Sequence, residues 1–224
     1  MRKPQSIIAV SLVISSAQLG TVSMTGCTST KIWLSEKFGN EKREQLVSSV
    51  ESARNAQEDA KEQFASALDE FLALTSGDQA TADLESKYKQ IESAYETSAS
   101  RAAKVKSRIE TVEAVAQALF KEWESELEEY ESPKLRASSQ KQLNLTRQRY
   151  DKLVGAMKEA AEKMDPVLSA FKDQTLFLKH NLNARAIASL ETDLNEIRTE
   201  VASLIEEMEA SIAEANEFID SLQG

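Results

Sequence analysis

Leu46, Val50, Ala53, Gln57, Ala60, Phe64, Ala67, Phe71 and Leu74 follow one another at alternating steps of four and three. That spacing puts all nine residues on one stripe of an α-helix, and so long a stripe is stable in water only when other helices cover it. Three further seams follow. The second runs through Leu84, Tyr88, Ile91, Tyr95, Ser98, Ala102, Val105, Ile109, Val112, Ala116, Leu119 and Trp123, then steps by four to Leu127 as a stutter and ends near Tyr130. The third includes Leu143, Tyr150, Leu153, Met157, Met164, Leu168, Phe171 and Leu178. The fourth includes Ile187, Leu190, Leu194, Ile197, Val201, Leu204, Met208, Ala215, Phe218 and Leu222. Period-two alternation is sustained nowhere, so no sheet is expected.

The breaks between seams are few because turn formers are scarce: 6 glycines and 3 prolines in 224 residues. Ser76-Gly77-Asp78 ends the first helix, with Gly supplying a left-handed C-terminal residue. Ser132-Pro133 starts the third, with Ser as N-cap and Pro at the first helical position. Asp165-Pro166 falls inside the third seam and predicts a kink, because the apolar period continues across it. His180-Asn181-Leu182-Asn183 predicts the last turn, since Asn caps helices and tolerates left-handed geometry. The expected fold is all-α: an elongated antiparallel bundle of four helices, roughly 33, 50, 48 and 39 residues long, with coiled-coil-like packing. The longer central pair, about 70 Å each, should protrude as a two-helix tip.

The N-terminus has a different character. Arg2 and Lys3 precede an apolar stretch around Ile7–Leu19, the pattern of a secretory signal peptide and too short for a membrane span. Met24-Thr25-Gly26-Cys27 resembles a bacterial lipobox, which implies that Cys27 becomes the diacylated first residue of the mature chain. Cys27 is also the sole cysteine, whereas exported proteins carry paired cysteines or none. Residues 1–26 therefore read as a lipoprotein signal peptide, 27–41 as a lipid-anchored tether and 42–224 as the bundle. Thr28 stands where an aspartate would resemble an inner-membrane retention signal, so the expected location is the periplasmic face of the outer membrane. Ile32, Trp33, Leu34 and Phe38, flanked by Lys31 and Lys37, could sit at the membrane interface or cap the open end of the bundle.

Charge narrows the choice of partners. The chain carries a formal net charge of −10, and about −12 without Arg2 and Lys3. Such a surface repels nucleic acid and anionic head groups. Candidate chemistry is sparse. His180 is the sole histidine, and the position three residues before it is Phe177 rather than the Glu of a di-iron helix pair. No Gly-rich loop cradles a phosphate, and no nucleophile elbow surrounds a serine. Glu126, Glu128, Glu129 and Glu131 read as a solvated helix face. Neither a metal, a cofactor nor a small-molecule substrate is expected, and the chain reads as a non-enzyme.

The stretches Trp33–Gly39, Ala56–Phe64, Ala118–Glu124, Lys163–Leu168 and Leu176–Ala184 together resemble a family of Gram-negative lipoproteins known as domain of unknown function 2959. The resemblance spans nearly the whole mature chain, and its most specific piece is Phe177-Leu178-Lys179-His180-Asn181-Leu182-Asn183. It implies the helical architecture and the envelope location, and it lends no catalytic residue.

One polar cluster stands out within that piece. Lys179, His180, Asn181, Asn183 and Arg185 are basic or amide residues at a helix corner of an acidic protein. They fit either a capped turn, with cations at a helix C-terminus, or a docking corner for an acidic partner or the cell wall. The function expected is that of a periplasmic scaffold, spacer or adaptor tethered to the membrane through lipid on Cys27, with a protein partner or self-association. The alternative is a carrier whose helices open around a lipid or another hydrophobe.

Overall fold

In a computed structural model, the described residues are 28–76, 83–181, 183, 187 and 190–223, and they form four long α-helices and no strand. These are α1 (Thr28–Ser76), α2 (Leu84–Leu127), α3 (Pro133–His180) and α4 (Glu191–Gln223). Side chains are described for residues 41–74 of α1 and from Asp193 onward in α4. Helices α1 and α3 each pack against both α2 and α4. The four therefore run up, down, up and down around a square, and α4 closes back on α1.

The heptad seams make the core. All nine residues of the first seam are buried, as is the second from Ile91 to Leu119 apart from half-buried Tyr95. The fourth seam has a gap between Met208 and Ala215, and buried Ser211 fills it. Its Oγ donates to Gln57 Oε1 at 3.1 Å and accepts from Gln57 Nε2 at 2.9 Å, so the two polar residues satisfy each other between α1 and α4. Small residues such as Ala53, Ala60 and Ala67 on α1 and Ala94, Ala102 and Ala116 on α2 are buried and let those helices approach closely. Aromatic rings fill the wider diagonal. Phe171 of α3 stacks on Phe71 of α1 at 4.7 Å between centroids and lies 6.3 Å from Phe64.

The third seam follows a slightly different line from the one expected. Buried Thr146, Ala160, Val167 and Thr175 complete it, while Leu168 is half-buried beside it. The threonines are admitted because their hydroxyls donate to carbonyls of their own helix, Gln142 at 3.0 Å and Phe171 at 2.8 Å. Val167 takes the seam because a step of three from Met164 and four to Phe171 keeps the heptad rhythm.

The helix ends follow local chemistry. Ser132 caps α3 by accepting the Leu135 amide on its Oγ, and Pro133 takes the first helical position. α3 continues unbroken through Pro166, which sits on the exposed side while Met164 and Val167 keep the helix on the core. Asp83 caps α2 by accepting from Ser86. Gly77 lies outside the described residues.

Lengths differ from expectation at both chain ends. α1 has 49 residues because it is helical from Thr28, inside the segment 27–41 assigned to a tether. α4 has 33 residues from Glu191, although Ile187, itself helical, and Leu190 are already buried. The two-helix tip needs correction for the same reason. α4 stops where Leu222 and Gln223 share a groove with Arg43, Val47 and Glu51. The α2–α3 turn projects past that level, but so does α1. Lys42 pairs with Glu122, Arg43 lies 5.7 Å from the Trp123 ring, and α1 then runs a further fourteen residues to Thr28. One helix falls short, not two.

Charged pairs bridge each neighbouring interface: Arg101 and Lys104 to Asp59, Lys158 to Glu113, Lys163 to Glu207, and Lys61 to Glu209. Exposed pairs of this kind add little stability singly, but they favour the observed neighbours over other pairings.

Candidate functional site

The residues singled out in the sequence fall at opposite ends of the bundle. α1 begins beside the α2–α3 turn, and the helices run antiparallel, so the Lys179–Arg185 corner lies at the far end. The 48 residues of α3 separate the two ends by about 72 Å. Cys27 and Arg185 lie outside the described residues. Trp33 and Phe38 are on the first turns of α1, and their side chains also lie outside the described set.

At the far corner the amides are committed to the turn. The Asn181 backbone N–H donates to the carbonyls of Phe177 at 3.1 Å and Leu178 at 3.2 Å, and its Nδ2 donates to Phe177 at 3.0 Å. This closes the C-terminus of α3 with the carbonyls that a helix end leaves unpaired. Asn183 then donates its N–H to Asn181 at 2.8 Å and accepts from the Ile187 N–H at 3.1 Å. Leu190 donates to Ile187 at 3.1 Å, and Leu194 donates to Leu190 at 2.9 Å, which carries the chain into α4. Buried Ile187 and Leu190 pin this turn to the core. Asn181 and Asn183 thus act as capping residues. Lys179 and His180, exposed in the last turn of α3, place cationic and titratable groups where the helix dipole favours positive charge.

Two residues that the sequence reading had not separated from the core sit next to them. Leu176 is 47 % and Phe177 39 % exposed. The signal was present: Thr175 and Leu178 hold the seam, and a helix cannot turn four consecutive residues to one stripe. The corner is therefore an exposed apolar pair followed by Lys179 and His180.

The opposite end is ringed by charge. Glu128 pairs with Arg136 across the α2–α3 turn, and Glu124 with Arg147 at 2.7 Å. The Arg147 hydrogen bond, followed by its charge, lowers the Glu124 carboxyl below its ordinary pKa. Glu126 departs from the expected solvated face. It is half-buried, and desolvation first, then repulsion from Glu122 and Glu129, raises its carboxyl. Trp123 donates its indole N–H to Ser139 Oγ at 2.9 Å, tying α2 to α3 just before the turn.

Among the described residues, no group of three or more His, Cys, Asp or Glu side chains gathers as a metal site would require. No helix among them is long and apolar enough to cross a membrane. A family model described as Protein of unknown function (DUF2959) matches residues 33–222. No curated protein and no solved structure matches the chain.

Proposed function

The chain belongs to the DUF2959 family of proteins of unknown function, and on that premise we propose that it is a non-enzymatic envelope lipoprotein, a rigid helical spacer or scaffold anchored through lipid on Cys27. The observation that carries this reading is the placement of the two ends. Cys27 directly precedes α1 at one end, and the exposed Leu176–Phe177 pair with Lys179 and His180 lies a full helix length away at the other. A partner docked at that corner would be held about 70 Å from the anchored end. The seams support a rod over a carrier, because alanines and stacked phenylalanines fill alternate layers and leave helix pairs in direct contact. The periplasmic face of the outer membrane fits Thr28 after the lipobox cysteine.

Cys27→Ala tests the anchor. The variant is expected to lose labelled palmitate and to leave the membrane fraction, and a deletion phenotype should not be restored by it. Palmitate incorporation into Cys27→Ala would sink the anchor. The carrier alternative is checked on the same preparation. Organic extraction of purified wild-type protein should release no stoichiometric lipid beyond the acyl chains on Cys27, and a stoichiometric guest would favour the carrier.

A further inference from the structure

The α2–α3 turn carries apolar surface that the core does not cover. Leu135, in the first turn of α3, is 58 % exposed, and Tyr130, just past α2, is 41 % exposed. They flank Ser132-Pro133, beyond the point where α4 stops, so the fourth helix does not reach them. The α1–α2 pairing fixes their height along the bundle. Lys42 meets Glu122. Trp33 lies nine residues back along α1, and Tyr130 lies eight residues on from Glu122. At 1.5 Å per residue Trp33 is about 13.5 Å past that pair, and α2 runs five residues, about 7.5 Å, past it to Leu127 before the turn that carries Tyr130. The end of α2 therefore lies within about 6 Å of the Trp33 level along the bundle, and the turn continues from there.

We propose that the α2–α3 turn is a second membrane contact, with Tyr130 and Leu135 seated in the interface of a zwitterionic lipid surface near the level of Trp33. This rests on the reading that Cys27 is the lipid anchor. Helix begins at Thr28, one residue after Cys27, so α1 leaves no slack between the anchor and the bundle. A surface that holds Cys27 then lies within about two helical turns of Trp33 and about three of the end of α2, within reach of the turn once the bundle tilts toward α2 and α3. Tyr and Trp share a preference for that boundary, where a ring can be apolar at one end and hydrated at the other. Charge selects the lipid. Residues 121–136 carry six glutamates against Lys121, Lys134 and Arg136, and Arg136 is itself engaged by Glu128, so the turn is net acidic and disfavours anionic head groups.

The test uses full-length protein reconstituted in phosphatidylethanolamine-rich vesicles, with an environment-sensitive fluorophore on Glu131→Cys beside Tyr130 or on Lys179→Cys at the far corner. Nitroxide-bearing lipids are expected to quench the probe at 131 and to spare the one at 179. Adding Tyr130→Ser and Leu135→Ser should bring quenching at 131 down to the level at 179. Raising the share of phosphatidylglycerol should weaken it. Palmitate labelling of the same samples reports the anchor separately. Labelled protein without quenching at 131 overturns the membrane contact and leaves the anchor standing, whereas unlabelled protein removes both. A probe at 131 that shifts to the blue with protein concentration in the absence of lipid would assign the turn to a second copy and overturn the proposal as well.

Discussion

Tyr150 shows how a residue's place in the bundle sets its chemistry. It packs edge-on against Phe120 at 5.3 Å, and burial, followed by the charges of Glu113 and Asp151, raises its phenol to about 12. Tyr88 reaches about 12 by another route, chiefly its hydrogen bond to Glu92 at 2.6 Å. Both phenols are raised above their ordinary value of 10.0, so the fold favours the neutral form. Their stabilising contribution is complete below pH 10 and is lost as pH rises toward 12. Ultraviolet titration should show phenolate appearing late, and Tyr150→Phe should remove one late-titrating phenol. Loss of an early-titrating phenol instead would contradict the assignment. Residue-scale detail was only partly legible in the sequence. Leu168 and Val167 are adjacent apolar residues, and the choice between them depends on which neighbours α3 meets. The burial of Glu126 likewise depends on how α1 approaches α2 near the turn.

At the scale of elements, capping chemistry was the most readable signal. Ser132-Pro133 specified the start of α3 through a side-chain acceptor and a residue with no N–H to lose, and Asn181 specified its end. The start of α4 was not readable, because helical Ile187 and Leu190, which lies in a turn, both keep the apolar period. The early start of α1 was missed because the Gly39-bearing segment lacks a seam of its own. Pro166 is the element-scale experiment. It lies inside a continuous α3 on the exposed side, where proline is about 3 kcal/mol less favourable than alanine. Pro166→Ala should restore the amide donor to the preceding turn and raise the melting temperature followed by circular dichroism. A lower melting temperature would mean that Pro166 is part of how α3 fits its neighbours.

The whole molecule was legible because a heptad seam states both that a helix is covered and which side is covered. Four seams of similar length with three short connections leave an antiparallel bundle as the simplest arrangement. What the seams did not reveal was the order around the square, which depends on matched polar pairs such as Gln57 with Ser211. Ser211→Ala should strand the buried Gln57 amide and destabilise the bundle by about 1–3 kcal/mol in denaturant unfolding. Gln57→Leu with Ser211→Ala should recover most of that loss, since removing both partners leaves nothing unsatisfied. Simple addition of the two single effects would show that the pair is not coupled.

Those two residues are 154 positions apart. α1 depends on α4, which is made after the other three helices, for one whole side of its stripe. Contacts between α1 and α2 or between α2 and α3 are more local and are expected to form early, whereas closure of the square needs a loop of 154 residues. A chain emerging N-terminus first therefore holds the α4-facing side of α1, with Val47 and Gln57, open to solvent until α4 arrives. The slow step of folding is set by that final helix, and until it docks, the half-built bundle is a surface that another chain's α4 could fill.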